Sequence, residues 1–158
     1  MKKFQAIFMK EAIALSRQGS NSNVGGPFGC VIVKDGIIIG KGSNMVTSSN
    51  DPTAHAEVVA IRDACKNLND FQLDGCEIYT SCEPCPMCLG AIYWARPEVV
   101  YFANSRDEAA AAGFDDAFIY DEINVPPHDR KIRMEHVPDA EAKQVFRDWI
   151  IKPDKIDY

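Results

Sequence analysis

Two short stretches of the sequence hold the residue types that could do chemistry. The first stretch, AHAEVVA, contains His55 followed two positions later by Glu57. The second stretch, TSCEPCPMCLG, contains Cys85 and Cys88. Because imidazole and thiolate are the usual donors to zinc in proteins, the two stretches together predict a metal site with an acid beside it.

The spacing of the cysteines favours a catalytic metal rather than a structural one. Cys85 and Cys88 would lie on one face of a helix, with Pro86 at the first helical position, where its missing N–H costs nothing. The helix dipole favours thiolates there. With His55 as third ligand, a fourth position stays open for water. Cys82 leaves two alternatives open, because it could be a fourth ligand of a structural site or half of a redox pair.

Glu57 is the predicted base of this site. Two thiolates offset the charge of zinc, so bound water is acidified less than at a three-histidine site and a nearby base becomes more useful. On an ideal helix, residues two apart point about 200° apart, so His55 and Glu57 cannot both face a metal from the middle of a helix. They can do so at a first turn, where Thr53 is the predicted cap.

By their resemblance to the signature of zinc deaminases, these groups imply hydrolysis at an aromatic carbon that carries an exocyclic amine. Zinc would hold hydroxide close to that carbon. Glu57 would move a proton from the water to the ring nitrogen and would then help to protonate the departing amine. His-x-Glu with Pro-Cys-x-x-Cys is the signature of zinc deaminases.

The length, charge and apolar content of the chain limit the classes of protein to which it could belong. The chain has 158 residues, which suits one domain with one core, and a formal net charge of −6, which argues against binding to nucleic acid. No stretch approaches the ~20 apolar residues that span a bilayer, and Lys10 and Glu11 interrupt the apolar run near the start, so no membrane segment or secretory signal is predicted. In the predicted cytoplasmic location, the six cysteines are free thiols or metal ligands.

The elements that must position these residues predict an α/β domain. Strand runs alternate with helical runs, and Asp35–Gly36 is a favoured two-residue hairpin turn. The order predicts a three-layer α/β/α sandwich around a mixed sheet. The helix that follows His55 carries apolar residues on one side, namely Val58, Ile61, Ala64, Cys65 and Leu68. Outside the metal site, the cysteines predicted to be small buried thiols are Cys30, Cys65 and Cys76.

The sequence resembles the cytidine deaminase-like superfamily and, more closely, the bacterial guanine deaminases. HAE…PCPMC is shared by the superfamily, whereas IYWARP and GFDDAFIY are typical of the guanine branch. The resemblance also includes a C-terminal tyrosine and extends over GGPFG at 25–29, DPTAHAEVVAIR at 51–62, YTSCEPCPMCLGAIYWARP at 79–97 and AGFDDAFIY at 112–120.

The resemblance implies one Zn²⁺ per subunit, bound by His55, Cys85 and Cys88, with Glu57 as proton shuttle. It implies a single zinc-dependent deaminase domain over 1–158 and a homodimer. The implied partner is a small purine base.

The resemblance also implies a set of substrate contacts. Asn44 would orient the purine through an amide that offers both donor and acceptor. Asp116 would accept hydrogen bonds from N–H groups of the base, and Asp115 is disfavoured because adjacent residues usually point apart. Further contacts are implied for Phe28 and Trp94 as apolar or stacking surface, and for Tyr158 in a tail, 150–158, that could close the pocket, with a partner subunit as one possible source.

The implied reaction is hydrolysis of free guanine to xanthine and ammonia, in purine catabolism or salvage. The alternatives are a tRNA adenosine deaminase, another nucleobase or nucleoside deaminase, and a noncatalytic zinc-stabilised binding module that would need Cys82 or another residue as fourth ligand. The net charge counts against the tRNA enzyme. An acid such as Asp116 favours a base rich in N–H donors, which describes guanine better than adenine.

Overall fold

The computed structural model describes residues 2–158, which form two compact units, one ending at Asp116 and the other formed by Ala117–Tyr158. The elements of the first unit are α1 (Ala6–Asn21), β1 (Gly29–Lys34), β2 (Ile37–Ser43), α2 (Val46–Ser49), α3 (Ala56–Leu68), β3 (Cys76–Cys82), α4 (Pro86–Ala95), β4 (Val99–Asn104) and α5 (Arg106–Ala111). Those of the second are α6 (Ala117–Asn124), a 3₁₀ turn (Pro127–Asp129) and α7 (Ala140–Ile151).

A mixed four-stranded sheet forms the centre of the first unit. Its order is β2-β1-β3-β4, with β1 antiparallel to both neighbours and β3 parallel to β4. Successive residues of a strand point to opposite faces, so one strand supplies two cores. The predicted α/β fold with a mixed sheet is confirmed. The core against α1 includes Val31, Val33 and Tyr79, and the core against α3 and α4 includes Cys30, Ile32 and Ile78.

The predicted hairpin turn is confirmed. Asp35 and Gly36 have φ values of 50° and 78°, and the flanking residues Lys34 and Ile37 pair across the two strands. Two successive residues with positive φ are the requirement of a two-residue turn whose twist matches the strands, which is why Asp-Gly is favoured there.

The backbone of helix α3 lies so close to strand β2 that large side chains do not fit between them. A Cβ at Gly42 would lie 2.2 Å from the carbonyl oxygen of Ala56 and 2.6 Å from the amide nitrogen of Ala60. The fully buried apolar positions of α3 are therefore alanines, Ala56, Ala60 and Ala64. Of the predicted apolar side only Ala64 is fully buried, whereas Val58, Ile61, Cys65 and Leu68 are partly buried.

The predicted cap of this helix is wrong. His55 occupies the cap position of α3, and no side chain accepts a hydrogen bond there. Thr53 instead donates through its amide nitrogen and its hydroxyl to Asp51 Oδ1, over 2.8 and 2.7 Å. An Asp that bonds the backbone two residues on forms a turn, so Thr53 belongs to the loop before the helix.

The second unit has little interior of its own. No residue within Ala117–Tyr158 is buried. Asp139 caps the start of α7, where its carboxylate accepts a hydrogen bond from the Ala142 amide over 2.9 Å.

Among residues 2–158, we find no helix with the length and apolar character needed to cross a membrane.

We expect Gly42→Ala to lower the free energy of unfolding by at least about 1–3 kcal/mol, because the new methyl group would collide with the backbone of α3. Gly90→Ala is the matched control, because its Cβ in exposed α4 would meet no atom within 4 Å. It should be neutral or stabilising by up to ~1 kcal/mol. Urea unfolding of the zinc-loaded chains measures both changes, and equal stabilities would contradict the close approach.

Candidate metal centre and active site

Two helix starts bring the three predicted ligands together. His55 is the residue before α3, Cys85 is the residue before α4, and Cys88 lies in the first turn of α4. The Sγ atoms of Cys85 and Cys88 lie 3.4 and 3.5 Å from His55 Nδ1. The three ligand atoms all lie within 4.8 Å of one another.

These separations fit a tetrahedral zinc ion. Bonds of ~2.3 Å to sulfur and ~2.0 Å to nitrogen, at a tetrahedral angle, place the two donor atoms about 3.5 Å apart. Both sulfur–nitrogen distances in the site agree with this value. The donor set of one imidazole and two thiols is also the chemistry that zinc prefers, so the residues present fit the ion.

Cys82 is outside the ligand group. Its Sγ points to the carbonyl oxygen of Ser105, 3.7 Å away, and burial raises the pKa of this thiol to about 11. Among the described residues, the group of possible ligands around the two cysteines of α4 has His55 as its third member and no fourth. A structural site completed by Cys82 is therefore contradicted.

The two thiols of the site differ in charge. The pKa of Cys85 is lowered to about 4, because the Cys88 thiol donates a hydrogen bond to it and His55 supports the negative charge. The pKa of Cys88 is raised by the same hydrogen bond, by burial and by the negative charge of Glu57. Of the two thiols, Cys85 is therefore the more readily deprotonated, and negative charge on sulfur is what a cation at this site would stabilise.

The geometric requirement on His55 and Glu57 is met by the position at which α3 begins. His55 has φ −69° and ψ 155°, an extended conformation outside the helix, whereas Glu57 lies in the first turn. The ideal angular separation of helical residues therefore does not apply to this pair. Glu57 Oε2 lies 3.3 Å from Cys88 Sγ, which places a carboxylate oxygen directly beside the ligand group.

Thr80 orients this carboxylate. Its hydroxyl donates to Glu57 Oε1 over 2.9 Å, so that Oε1 is occupied and Oε2 is the oxygen that faces the ligands. Glu57 is 5% exposed, and this burial raises its pKa. The role of the Thr80 side chain was not predicted from the sequence. The signal was available, because Thr80 follows Ile78 on the face of β3 that packs against α3.

A cavity of about 330 Å³ opens beside the ligand group, a size suited to a small ligand. It is lined by three of the predicted substrate contacts, Phe28, Asn44 and Asp116. Trp94 lies in α4 and is 63% exposed, and it is absent from the lining. Tyr158 belongs to the second unit and is 68% exposed. The full lining is Gly26, Phe28, Asn44, Val46, Thr47, His55, Glu57, Cys82, Glu83, Cys85, Arg106, Ala109, Phe114, Asp115 and Asp116.

Asn44 offers a narrower set of hydrogen bonds than predicted. Its Oδ1 accepts from the amide nitrogens of Gly26 and Val46, over 3.1 and 3.3 Å. An amide oxygen has two lone pairs, so both are used and only the NH₂ group remains for a ligand. The prediction that Asn44 offers a donor and an acceptor is therefore corrected to a donor alone.

Asp115 and Asp116 both line the cavity, but they differ in how deeply they are buried. Asp116 is partly buried and Asp115 is exposed. Burial and the negative charge of Cys85 raise the pKa of Asp116. Asp115, which was disfavoured as a substrate contact, also lines the cavity, and Asp116 is the deeper of the two.

Two lining residues were not predicted. Phe114 packs edge-on against Phe28, with ring centroids 4.9 Å apart and planes 85° apart, so both aromatic rings shape one side of the cavity. Arg106 brings a positive charge to a wall that is otherwise acidic and lowers the pKa of Asp116 against the larger effect of burial. Phe114 lies within the GFDDAFIY stretch that carried the resemblance, two residues before Asp116, so that stretch could have pointed to it, whereas Arg106 lies outside every motif.

A mixed α/β fold that gathers one imidazole and two thiols beside a buried glutamate defines a zinc-dependent deaminase. The chain belongs to the family described as the cytidine and deoxycytidylate deaminase zinc-binding region, which matches residues 2–104. It is similar to the guanine deaminase of Bacillus subtilis, with 59% identity over 142 residues that cover 90% of this chain and 91% of that protein.

Two further similarities support the family. An X-ray structure of the guanine deaminase from Bacillus subtilis matches with a TM-score of 0.95 and 55% identity over 99% of both chains. The tRNA-specific adenosine deaminase of Aquifex aeolicus is 36% identical over 80% of this chain and 81% of its own. The chain is thus a homologue of guanine deaminase in a family of zinc-dependent hydrolases, and the tRNA enzymes are more distant.

We expect Cys85→Ser and Cys88→Ser to keep less than about a tenth of the wild-type zinc after dialysis against a chelator, because each change removes one of the three donors. Cys82→Ser is the matched control and should keep the wild-type zinc content, since its thiol faces Ser105. Elemental analysis of the purified chains measures the metal. Zinc loss in Cys82→Ser would contradict the three-ligand site.

Proposed function

We propose that this chain catalyses the hydrolytic deamination of free guanine to xanthine and ammonia. The observation that carries the proposal is the carboxylate of Glu57, whose Oε2 lies beside the ligand group and inside a cavity walled by Asp116. The similarity to the guanine deaminase of Bacillus subtilis supports the same substrate.

Glu57 performs the proton transfers of this reaction. Zinc, when held by His55, Cys85 and Cys88, acidifies a water and so supplies the nucleophile. Glu57 takes a proton from this water and delivers it to the ring nitrogen beside the attacked carbon. The carbon becomes tetrahedral. Glu57 then moves the hydroxyl proton to the amine, which leaves as ammonia, and a carbonyl remains.

The side chains of the cavity match the edge of a purine base. The NH₂ group of Asn44 donates to an acceptor of the ring, because its oxygen is occupied by backbone amides. Asp116 accepts from ring N–H groups, of which guanine has more than adenine. Phe28 and Phe114 supply the apolar surface beside the ring plane.

The acidic wall of the cavity favours a free base over a tRNA. Glu83, Asp115 and Asp116 face one cation, Arg106, in the lining, and the whole chain has a net charge of −6. A tRNA deaminase must bind phosphates, and like charges at the cavity mouth oppose that binding. The tRNA reaction and other nucleobase or nucleoside reactions are therefore the alternatives against which the proposal is tested.

We also propose one zinc per subunit, a cytoplasmic location, a homodimer, and a role in purine catabolism or salvage. Exposed apolar side chains support a dimer, because large apolar patches on soluble proteins usually mark interfaces. They occur on α4, at Leu89, Tyr93 and Trp94, and on α7, at Val145, Phe146, Ile150 and Ile151.

Three sequence-based interpretations stay predictions. They are the single deaminase domain over 1–158, the contact of Trp94 with substrate, and closure of the cavity by the 150–158 tail with Tyr158. The phenol of Tyr158 offers a hydrogen-bonding group of the kind that would close a polar pocket.

A substrate panel tests the proposed function. The zinc-loaded chain is incubated separately with guanine, guanosine, adenine, cytosine, cytidine and a tRNA anticodon stem-loop, and ammonia release is measured. We expect release from guanine, and its loss after chelation, because the zinc supplies the nucleophile. Activity confined to the stem-loop, or to cytosine or a nucleoside, would overturn the choice of substrate.

The control for this panel is Glu57→Gln, which preserves the shape of the side chain but cannot take up a proton. We expect zinc content and fold to be unchanged, and turnover to fall by more than the ~10²–10⁴-fold typical of acid–base catalysis, because the carboxylate beside Cys88 is the group to which every proton transfer is assigned. Unchanged turnover would favour a noncatalytic zinc-stabilised module.

A matched pair of variants tests the acidic wall. We expect Asp116→Asn to lower kcat/KM for guanine about 10- to 100-fold, because a buried N–H of the base loses a charged acceptor. Asp115→Asn should stay within about threefold of the wild type, because Asp115 is exposed. Initial rates over a range of guanine concentrations give both values. An unaffected Asp116→Asn enzyme would remove this residue from the site.

A further inference from the structure

The ligand loop, defined as the segment Cys82–Cys85 that leads from the end of β3 to the predicted zinc ligand Cys85, is bonded to the segment that leads from β4 into residues 106–116. The Glu83 amide donates to the Asn104 carbonyl over 2.8 Å, and the Cys82 thiol contacts the Ser105 carbonyl at 3.7 Å. The Glu83 carboxylate reaches further and accepts from the Arg106 amide over 3.1 Å. Three successive residues at the end of β4 are therefore held by two residues of the ligand loop.

The segment held in this way forms one wall of the cavity. Residues 106–116 contribute Arg106, Ala109, Phe114, Asp115 and Asp116 to the lining. The far end of this wall is held by the edge-on contact of Phe114 with Phe28, at 4.9 Å between ring centroids. Asp116 follows two residues later, so its position depends on a wall that is fastened at both ends.

The helix that begins the wall does not need Glu83 for its own cap. Ser105 accepts from the Glu108 amide over 3.3 Å, and the Glu108 carboxylate accepts from the Ser105 amide over 2.8 Å. This reciprocal pair satisfies two amides at the start of α5 from within the helix. The bond from Arg106 to Glu83 is additional, and it leaves the helix to reach the ligand loop.

We propose that Glu83 is a positioning residue that couples the zinc-ligand loop to the wall carrying Asp116. Its carboxylate, one residue before Pro84 and two before Cys85, fixes the start of the wall relative to the metal. Ordering of the loop by zinc is thereby transmitted to residues 106–116. The kinetic consequence rests on the proposed function, because it assumes that Asp116 binds the substrate whose reacting carbon faces the zinc.

The kinetic test compares three variants. Glu83→Ala removes the acceptor, and we expect KM for guanine to rise roughly tenfold while kcat changes by less than about threefold, because the ligands and Glu57 are untouched. Glu83→Gln keeps an uncharged acceptor and should stay within about threefold of the wild-type KM. Glu108→Ala removes a cap of the same helix without touching the loop, and its KM should be unchanged.

A second measurement does not depend on any substrate. Amide hydrogen exchange of peptides within 106–116 is followed with and without zinc in the wild type, Glu83→Ala and Glu108→Ala. We expect zinc to slow exchange of this segment in the wild type and in Glu108→Ala, and to have no effect on it in Glu83→Ala, where the transmitting bond is absent.

The outcomes separate this proposal from the proposed function. A zinc effect that persists in Glu83→Ala, or that is lost equally in Glu108→Ala, overturns the coupling whatever the substrate is. Equal KM values for Glu83→Ala and Glu108→Ala also overturn it. Failure of the wild type to release ammonia from guanine overturns the proposed function, and the exchange measurement then still decides the role of Glu83.

Discussion

The site depends on the point at which one helix begins. His55 keeps an extended backbone, with ψ at 155°, and α3 starts one residue later. If the helix began a turn earlier, His55 and Glu57 would diverge around its axis and could not address the same ion. Cys85 stands before α4 in the same way, so both helices present their first residues, at the positive ends of their dipoles, to one small region. The chemistry follows from these two boundaries.

The sheet holds the two boundaries at a fixed separation. Glycines on β2 let the backbone of α3 lie against the strand, with the Gly42 Cβ position only 2.2 Å from the Ala56 oxygen. The strand β3 then supplies Thr80 to the carboxylate of Glu57 from the opposite side. A buried acid held between a helix and a strand keeps one oxygen occupied and the other directed, which is the preorganisation that proton transfer requires.

Local patterns in the sequence predicted much of this arrangement. Two β-branched runs around an Asp-Gly turn predicted the hairpin, and the spacing of Cys85 and Cys88 with a preceding His predicted the ligand group. Three features escaped these patterns, because each depends on atoms distant in sequence or on a competing local bond. They are the bonding of Thr53 to Asp51 in place of a helix cap, the two hydrogen bonds accepted by Asn44, and the alanine face of α3. The acidic pair shows the same limit, since burial in three dimensions, and not adjacency, separates Asp116 from Asp115.

The side chain of Asn44 can offer the cavity hydrogen-bond donors but no acceptor. Rotating that group by half a turn would point hydrogens at the amides of Gly26 and Val46 and strand two backbone donors, at about 1–3 kcal/mol each. The pocket therefore cannot adapt its polarity at this point to suit a different ring edge. In the proposed site, a ring edge that presents a hydrogen here would find no acceptor on Asn44, so the main chain would set the selectivity at this position.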